Sequence, residues 1–328
     1  MRSGIRSIGA RLAAFALALM LAAGSAVAAD DYPSKPIRVV VPFQAGGRVD
    51  LAMRIIAKYL TAQWGQPIVI DNRPGAGGNI GMELVAKAPP DGYTLVSAAN
   101  PMSANVTLYR NLPFDTLKAF APITLYYIDS NALVVRPTLG VHSVSDLISR
   151  AKQKPDELTY ASSGNGTSLH LSAELFKKEA GVSIRHVPYK GVPPIIADLL
   201  ANRIDMAFLG VSIATPYIES GRLKGLAVSS THRLDVLREL PTLQEAGLKD
   251  FEASSWAGLL APAGTPADVI RKVHDGVVAA LRDPQTRADL EKFGFDLVGN
   301  TPEEFADVIR EEIVKWGNII RETGAKVD

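Results

Sequence analysis

The sequence predicts an α/β protein made of two units, each a doubly wound sheet with flanking helices. Three observations predict it. Short β-branched apolar runs alternate with helical-period segments from residue 37 to 97, and again from 159 to 228. Turns rich in glycine or serine follow strands and open helices at residues 43–50, 72–81 and 162–168. The chain has 328 residues, enough for two ordinary domains, with no fixed short repeat and no low-complexity linker.

Composition narrows the function classes. Hydrophobic residues make up 47% and charged residues 21%, the balance of a chain with a buried core. Cysteine is absent, which excludes disulfides, thiolate metal sites, a cysteine nucleophile and a lipid-anchoring cysteine. Five scattered histidines form no metal-binding spacing. The N-terminus reads as a signal peptide over 1–29. Arg2, Arg6 and Arg11 precede the apolar run Leu12 to Ala23, which is too short to span a membrane, and Ala26-Val27-Ala28 gives a cleavage pattern. Cleavage is expected near Ala28 or Ala29, through the general export route because no Arg-Arg pair is present. A near-neutral mature chain without a basic patch argues against a nucleic-acid partner.

In chain order, Ile37 to Val41 is a strand, Gly46-Gly47 a turn, and Leu51, Ile55 and Tyr59 mark one face of a helix ending near Trp64-Gly65. Asp50 sits in the first helical turn, where a carboxylate is favoured. Pro67 to Asp71 is a second strand, a glycine turn and a helix through Lys87 follow, and Tyr93 to Ser97 is a third strand. Ala98 to Asn105 reads as a polar loop. Ile123 to Tyr127 and Ala132 to Val135 are strand-like, and Ser143 caps a helix to Lys152. Thr159-Tyr160-Ala161, Ile184 to Val187, Ile204 to Leu209 and Leu226 to Val228 are strands, with helices at Leu169 to Glu179 and Pro193 to Ala201. After a strand at Ser255 to Ala261, the rest is helical: Pro266 to Leu281 with Thr265 as cap, Pro284 to Phe293, and Pro302 to Glu322. Chain crossings near 130 and 252 place lobe 1 at 30–129 plus 252–328 and lobe 2 at 130–251, an arrangement suited to hinge closure.

Two turns bear on ligand binding. A glycine turn feeding a helix N-terminus, as at Phe43-Gln44-Ala45-Gly46-Gly47-Arg48, is either an ordinary βα connection or an anion site. Ser162-Ser163-Gly164-Asn165-Gly166-Thr167-Ser168 repeats the arrangement with hydroxyls, which either hold a carboxylate or only cap the helix. Two such turns in two α/β units can face one ligand across a cleft. The turn at Gly75 to Gly81 fails the dinucleotide spacing, since Ile80 stands where the third glycine belongs, and reads as structural. His170 lies too close to Ser168 on one helix to form a catalytic pair with it. Tyr189-Lys190-Gly191 offers either a hydroxyl and a charge to the cleft or a solvated turn. Asp205 at a strand start is expected to organise backbone between the lobes. No G-x-S-x-G elbow and no nucleophile–base constellation is present, so no enzyme is expected.

The same residues, taken as an ordered set, resemble the Bug family of extracytoplasmic receptors, the substrate-binding proteins of tripartite tricarboxylate transporters. The resemblance runs through Val41-Pro42-Phe43 with Gly46-Gly47 and Asp50, Asn72-Arg73-Pro74-Gly75-Ala76-Gly77-Gly78-Asn79-Ile80-Gly81, and Pro90-Asp91-Gly92-Tyr93-Thr94-Leu95. It continues through Ser162 to Thr167 with His170-Leu171, Val187-Pro188-Tyr189-Lys190-Gly191, Asp205 to Phe208, Trp256 and Ala261 to Pro266. The resemblance implies a two-lobed periplasmic binding protein, a Venus flytrap of the type II kind. It implies a periplasmic monomer that captures a small organic carboxylate, uses no cofactor, and delivers the ligand to integral membrane permease subunits. A receptor that feeds a membrane sensor kinase is the alternative. The ligand contacts it implies are Phe43, Gln44, Ala45, Gly46, Gly47 and Arg48 in the first loop. Asn100, Ser162, Ser163, Gly164, Thr167, Ser168, His170, Tyr189 and Asp205 complete the expected set. Arg48 and Val49 depart from the small or hydroxyl residues common in the family, and Arg48 is expected either to meet a second anionic group or to face solvent.

Overall fold

The computed structural model describes residues 32–249 and 251–323. The expected signal peptide and its cleavage site lie outside the described residues.

Two mixed sheets organise the chain. The first has the order β11-β4-β10-β3-β1-β2. In it β1 (Ile37–Val41) runs parallel to β2 (Ile68–Asn72) and β3 (Thr94–Ala99), as the β-α-β-α-β order demands. Its other half is antiparallel: β10 (Ser255–Pro262) lies between β3 and β4 (Phe120–Asp129), and β11 (Asp296–Leu297) pairs the outer side of β4. The second sheet has the order β7-β6-β8-β5-β9. Here β6 (Thr159–Ser162) is parallel to β7 (Arg185–Pro188) and β8 (Met206–Gly210), while β5 (Asn131–Val135) is antiparallel to β8 and to β9 (Lys224–Val228). Each sheet is therefore mixed, with a parallel β-α-β part and antiparallel strands beside it. The reason is connectivity. β4 ends at Asp129 in one sheet and β5 begins at Asn131 in the other, so a single residue, Ser130, carries the chain across, and β10 returns it.

The helices are α1 (Arg48–Trp64), α2 (Asn79–Ala86), α3 (Pro101–Leu108), α4 (Val144–Gln153), α5 (Ser168–Ala180), α6 (Val192–Leu200), α7 (Val211–Glu219), α8 (Ala267–Arg282), α9 (Pro284–Glu291) and α10 (Pro302–Thr323). Two were not legible. α3 occupies the stretch read as a polar loop: Pro101 at its first position starts it, and no apolar stripe advertised it because four of its eight residues are polar or proline, of which Ser103 and Asn105 are buried. α7 contains Pro216 and was hidden by it. Ser143 caps α4 as expected, accepting from the Asp146 N–H at 3.0 Å. Thr265 does not cap α8; its hydroxyl donates to the Pro262 carbonyl at 2.8 Å.

Apolar burial follows the sheets, but α3 and α10 belong to both cores. Met102, Phe305 and Ile309 pack with the first sheet's Val40, Val96 and Leu260. Ala104, Leu108, Trp316, Ile319 and Ile320 pack with the second sheet's Leu133, Ala161 and Leu209. The Glu312 carboxylate joins this region, accepting from Asn100 Nδ2 at 2.9 Å, Trp256 Nε1 at 3.3 Å and the Trp316 indole. A buried acid survives here because three donors replace its water.

Candidate functional site: a cleft at the strand ends

A cleft of about 580 Å³ opens where β1, β6, β7 and β8 end. In α/β sheets this is the expected position, since the loops after parallel strands and the helix N-termini they feed converge there. The first wall is the turn between β1 and α1, and Phe43, Gln44, Gly47, Arg48 and Val49 line the cleft from it. The turn is held from behind. Asp50, 1% exposed, accepts the Gly46 N–H at 2.8 Å, Arg54 Nε at 2.9 Å and Asn72 Nδ2 at 2.9 Å, and the same Asn72 amide reaches the Phe43 carbonyl at 3.2 Å. Burial pushes the Asp50 pKa up, but these hydrogen bonds outweigh it and hold the carboxyl below its ordinary value. Gly46 has φ +79°, a conformation that glycine adopts without strain. Its N–H is spent on Asp50 and that of Gly47 on the Gln44 carbonyl at 3.3 Å. The donors this wall offers are consequently the first-turn N–H groups of α1.

The second wall is the β6–α5 loop. Ser163, Thr167, Ser168 and Leu169 line the cleft. Thr167 caps α5 and donates its hydroxyl to the Gly164 carbonyl at 2.8 Å, whereas the Ser163 and Ser168 hydroxyls carry no hydrogen bond among the described residues. Gly166, at φ +76°, donates to His170 Nδ1 at 3.1 Å and packs against Leu108 of α3. Lys190, Gly191 and Val192 extend this wall, with Gly210 and Ile213 beside them.

The remaining expected contacts are engaged elsewhere. Ala45 and Gly46 form the outer, exposed side of their turn. Asn100, fully buried, accepts the Trp256 N–H at 2.7 Å and donates to Glu312 and to the Ser254 carbonyl. Ser162, also fully buried, lies 2.6 Å from His186 Nε2, and Gly164 only shapes the loop. His170 is 4% exposed, stacked on His186 at 4.4 Å, and faces the loop backbone. The Tyr189 hydroxyl donates to Asp198 at 2.7 Å, so of that turn Lys190 and Gly191, and not Tyr189, line the cleft. Asp205 precedes β8 and so lies at the opposite end of that strand from Gly210. It accepts from Thr159 N at 2.8 Å, Thr159 Oγ1 at 2.9 Å and Arg136 Nε at 2.9 Å.

Sequence reading missed Tyr127 and Asp129 at the end of β4 and Ser255 at the start of β10. Asp129 was detectable as a lone acid ending an apolar strand. Arg48 turns inward: its guanidinium lies beside Asp129 and 5.6 Å from the centre of the Phe295 ring, and its Nε and Nη2 have no hydrogen bond among the described residues. Burial lowers the Arg48 pKa to about 10, with Tyr127 acting the other way, so the charge persists at neutral pH. Tyr127, stacked on Phe295 at 4.0 Å, is pushed up to about 12 by burial.

Comparison with known proteins agrees with this architecture. BugT of Bordetella pertussis is 36% identical over 306 residues, covering 92% of this chain and 93% of BugT. The structure of Rhodopseudomonas palustris Rpa4515 with adipate is 37% identical with a TM-score of 0.82, covering 90% of this chain and all of that one. MatC from the same organism, solved with bound malate, is 30% identical with a TM-score of 0.78, over 88% of this chain and all of its own. These relatives are solute-binding receptors and not enzymes. A family model described as Tripartite tricarboxylate transporter family receptor matches residues 52–325. The two mixed sheets, the cleft at their strand ends and these matches together show that the chain belongs to the TctC family of periplasmic solute-binding receptors.

Proposed function

We propose that the protein captures a small organic carboxylate in the cleft and presents the closed form to integral membrane permease subunits of a tripartite tricarboxylate-type transporter. The observation that carries this reading is the pairing of two loops across one cleft. The α1 N-terminus supplies N–H groups from one side, and Ser163, Ser168 and Lys190 supply donors with no partner among the described residues from the other. Hydrogen bonds of this kind to a carboxylate are charge-assisted and stronger than neutral ones. The adipate and malate held by the two related structures support the ligand class.

In this reading the sheets centre two lobes, 30–129 with 252–328 and 130–251. The hinge lies at the crossings, where Asn131 Nδ2 donates to the Ala253 carbonyl at 3.3 Å and to Ser172 Oγ at 3.1 Å. A ligand touching both walls favours the closed state by its differential affinity. Export to the periplasm through the N-terminal segment completes the proposal.

The test is thermal unfolding of ligand-stripped protein against mono-, di- and tricarboxylates. A concentration-dependent rise in Tm for at least one acid is expected, because a ligand that binds only the folded chain stabilises it. Absence of any rise across the panel would overturn the reading.

A further inference from the structure

Two histidines stand behind the second wall, and neither lines the cleft. His170, in the first turn of α5, is buried, and its Nδ1 accepts the Gly166 N–H at 3.1 Å. An imidazole nitrogen accepts only while it carries no proton, so this bond requires a neutral His170. The bond lies inside the loop that carries Ser163 and Ser168, and Thr167 closes the same turn through the Gly164 carbonyl at 2.8 Å. His186 of β7 stacks on His170 with centroids 4.4 Å apart, and its Nε2 lies 2.6 Å from Ser162 Oγ. That hydroxyl in turn accepts the Gly164 N–H at 3.3 Å. The titratable groups around the two rings come from several elements. β6 gives Tyr160, stacked on His186 at 4.6 Å, with its hydroxyl donating to Glu174. α5 itself gives the buried Glu174 and Lys177, which donates to Glu174 at 2.7 Å. On α6 the acid is Asp198, which accepts from Tyr189 at 2.7 Å and Arg203 at 3.1 Å, and Glu322 of α10 pairs with Lys178 at 2.8 Å. α3 presents Leu108 and Asn105 to Gly166, and neither titrates. Burial is the main cause that lowers the pKa of both histidines, with Glu174 opposing it and Lys177 adding to it.

We infer that His170 is a positioning residue for carboxylate capture: its neutral ring holds the second wall in its binding shape, so that acid loosens the loop and weakens the ligand. The inference rests on the proposed carboxylate-binding function and adds a regulation of that same site. A proton on Nδ1 turns the acceptor into a donor that faces the Gly166 N–H. The loop must then move, and the Ser163 and Ser168 hydroxyls move with it. His186 offers no relief, because a charge on either ring is buried against the other at stacking distance. One effect acts the opposite way: a bound anion favours a nearby imidazolium. The loop bond outweighs it, being a direct contact, whereas the anion acts on His170 only across the loop. The ligand-bound form therefore holds the ring neutral more firmly than the free form does. Affinity is then full above the histidine's titration range and falls as pH drops through it.

The test measures affinity for adipate, malate and hexanoate by isothermal titration calorimetry at pH 7.5 and 5.0, in the wild type, His170→Asn and His170→Phe. Asparagine keeps an acceptor oxygen near the place of Nδ1 and does not titrate, whereas phenylalanine keeps the stacked ring and removes the acceptor. Protonation of the ligand itself is common to all three proteins and cancels in their ratio. Relative to His170→Asn, the wild type should lose about threefold or more in affinity between the two pH values. His170→Phe should bind about tenfold more weakly at both, the effect of a buried N–H left without its acceptor. Without any ligand, long-range proton–nitrogen NMR spectra of the wild type should show His170 as the Nε2–H tautomer at pH 7.5. Should His170→Phe fold poorly, the tautomer and the profile of His170→Asn still decide. A proton on Nδ1 at pH 7.5, a ratio of wild type to His170→Asn that stays flat or rises on acidification, or a His170→Phe that is less stable but binds with unchanged affinity would each overturn the inference while leaving carboxylate binding intact. Failure of all three acids to bind the wild type at pH 7.5 would instead overturn the function on which it rests.

Discussion

Ser162 Oγ and His186 Nε2 lie 2.6 Å apart, and through this contact a histidine stack supports the second wall of the cleft. Tyr160, His186 and His170 stack with centroid separations of 4.6 and 4.4 Å, and His170 Nδ1 holds the Gly166 N–H. The His186 pKa is lowered from 6.5 to about 4, first by burial and then by His170, with Lys177 acting the same way and Glu174 opposing. The folded chain therefore binds fewer protons than the unfolded one between pH 6.5 and about 4. Stability is full above the upper value and falls as pH drops toward the lower, by up to about 3 kcal/mol. Urea unfolding from pH 7.5 to 4.5 should show this loss, and His186→Gln should flatten the profile.

Asp50 fixes the first wall through three donors. Asp50→Ala leaves the Gly46 N–H, the Asn72 amide and the Arg54 guanidinium without their acceptor. A loss of about 1–3 kcal/mol in stability is expected, as for other orphaned hydrogen-bonding groups. Carboxylate affinity should fall with it, measured by calorimetry at a temperature where the variant is fully folded.

Gly166→Ala tests the second wall. A Cβ there would stand 2.6 Å from Leu108 Cδ1, and φ +76° strains any L side chain. The substitution should cost about 1–3 kcal/mol and weaken carboxylate binding, since the loop carrying Ser163 must shift.

Asp205 separates support from recognition. Asp205→Ala removes the shared acceptor of Thr159 and Arg136 and should lower stability by about 3 kcal/mol. Because it sits at the far end of β8, ligand affinity of the folded variant should be unchanged. A matching drop in affinity, seen by calorimetry, would contradict the placement of the cleft.

Sequence periodicity made the parallel strands and most helices legible, because β1, β6 and β8 are apolar runs set between turns. Cleft loops were legible for the same reason: Gly46-Gly47 and Ser162 to Ser168 follow those runs directly. The antiparallel strands other than the two-residue β11, which fell in a stretch read as helical, were readable as strands but not as partners, since residue type does not encode which sheet β4 or β5 joins. Among polar residues, side-chain direction decided the outcome. Asn100, His170 and Tyr189 carry the chemistry of a binding site, yet each spends its polar atoms on a neighbour that only the folded chain brings close. Arg48 was legible as a departure from pattern, but its neighbour Asp129 is 81 positions away and could not be inferred.

The last helix contributes Phe305 and Ile309 to one core and Trp316, Ile319 and Ile320 to the other. It therefore acts as a stiff spar spanning both halves of the molecule. A helix resists stretching, because lengthening it breaks its backbone hydrogen bonds, whereas it bends and rolls at small cost. In the proposed open–closed motion, the cleft then opens by a swing about this spar and not by a parting of the halves. In that motion, residues about 260 to 280 positions from Phe43 in the chain set how wide the mouth can gape.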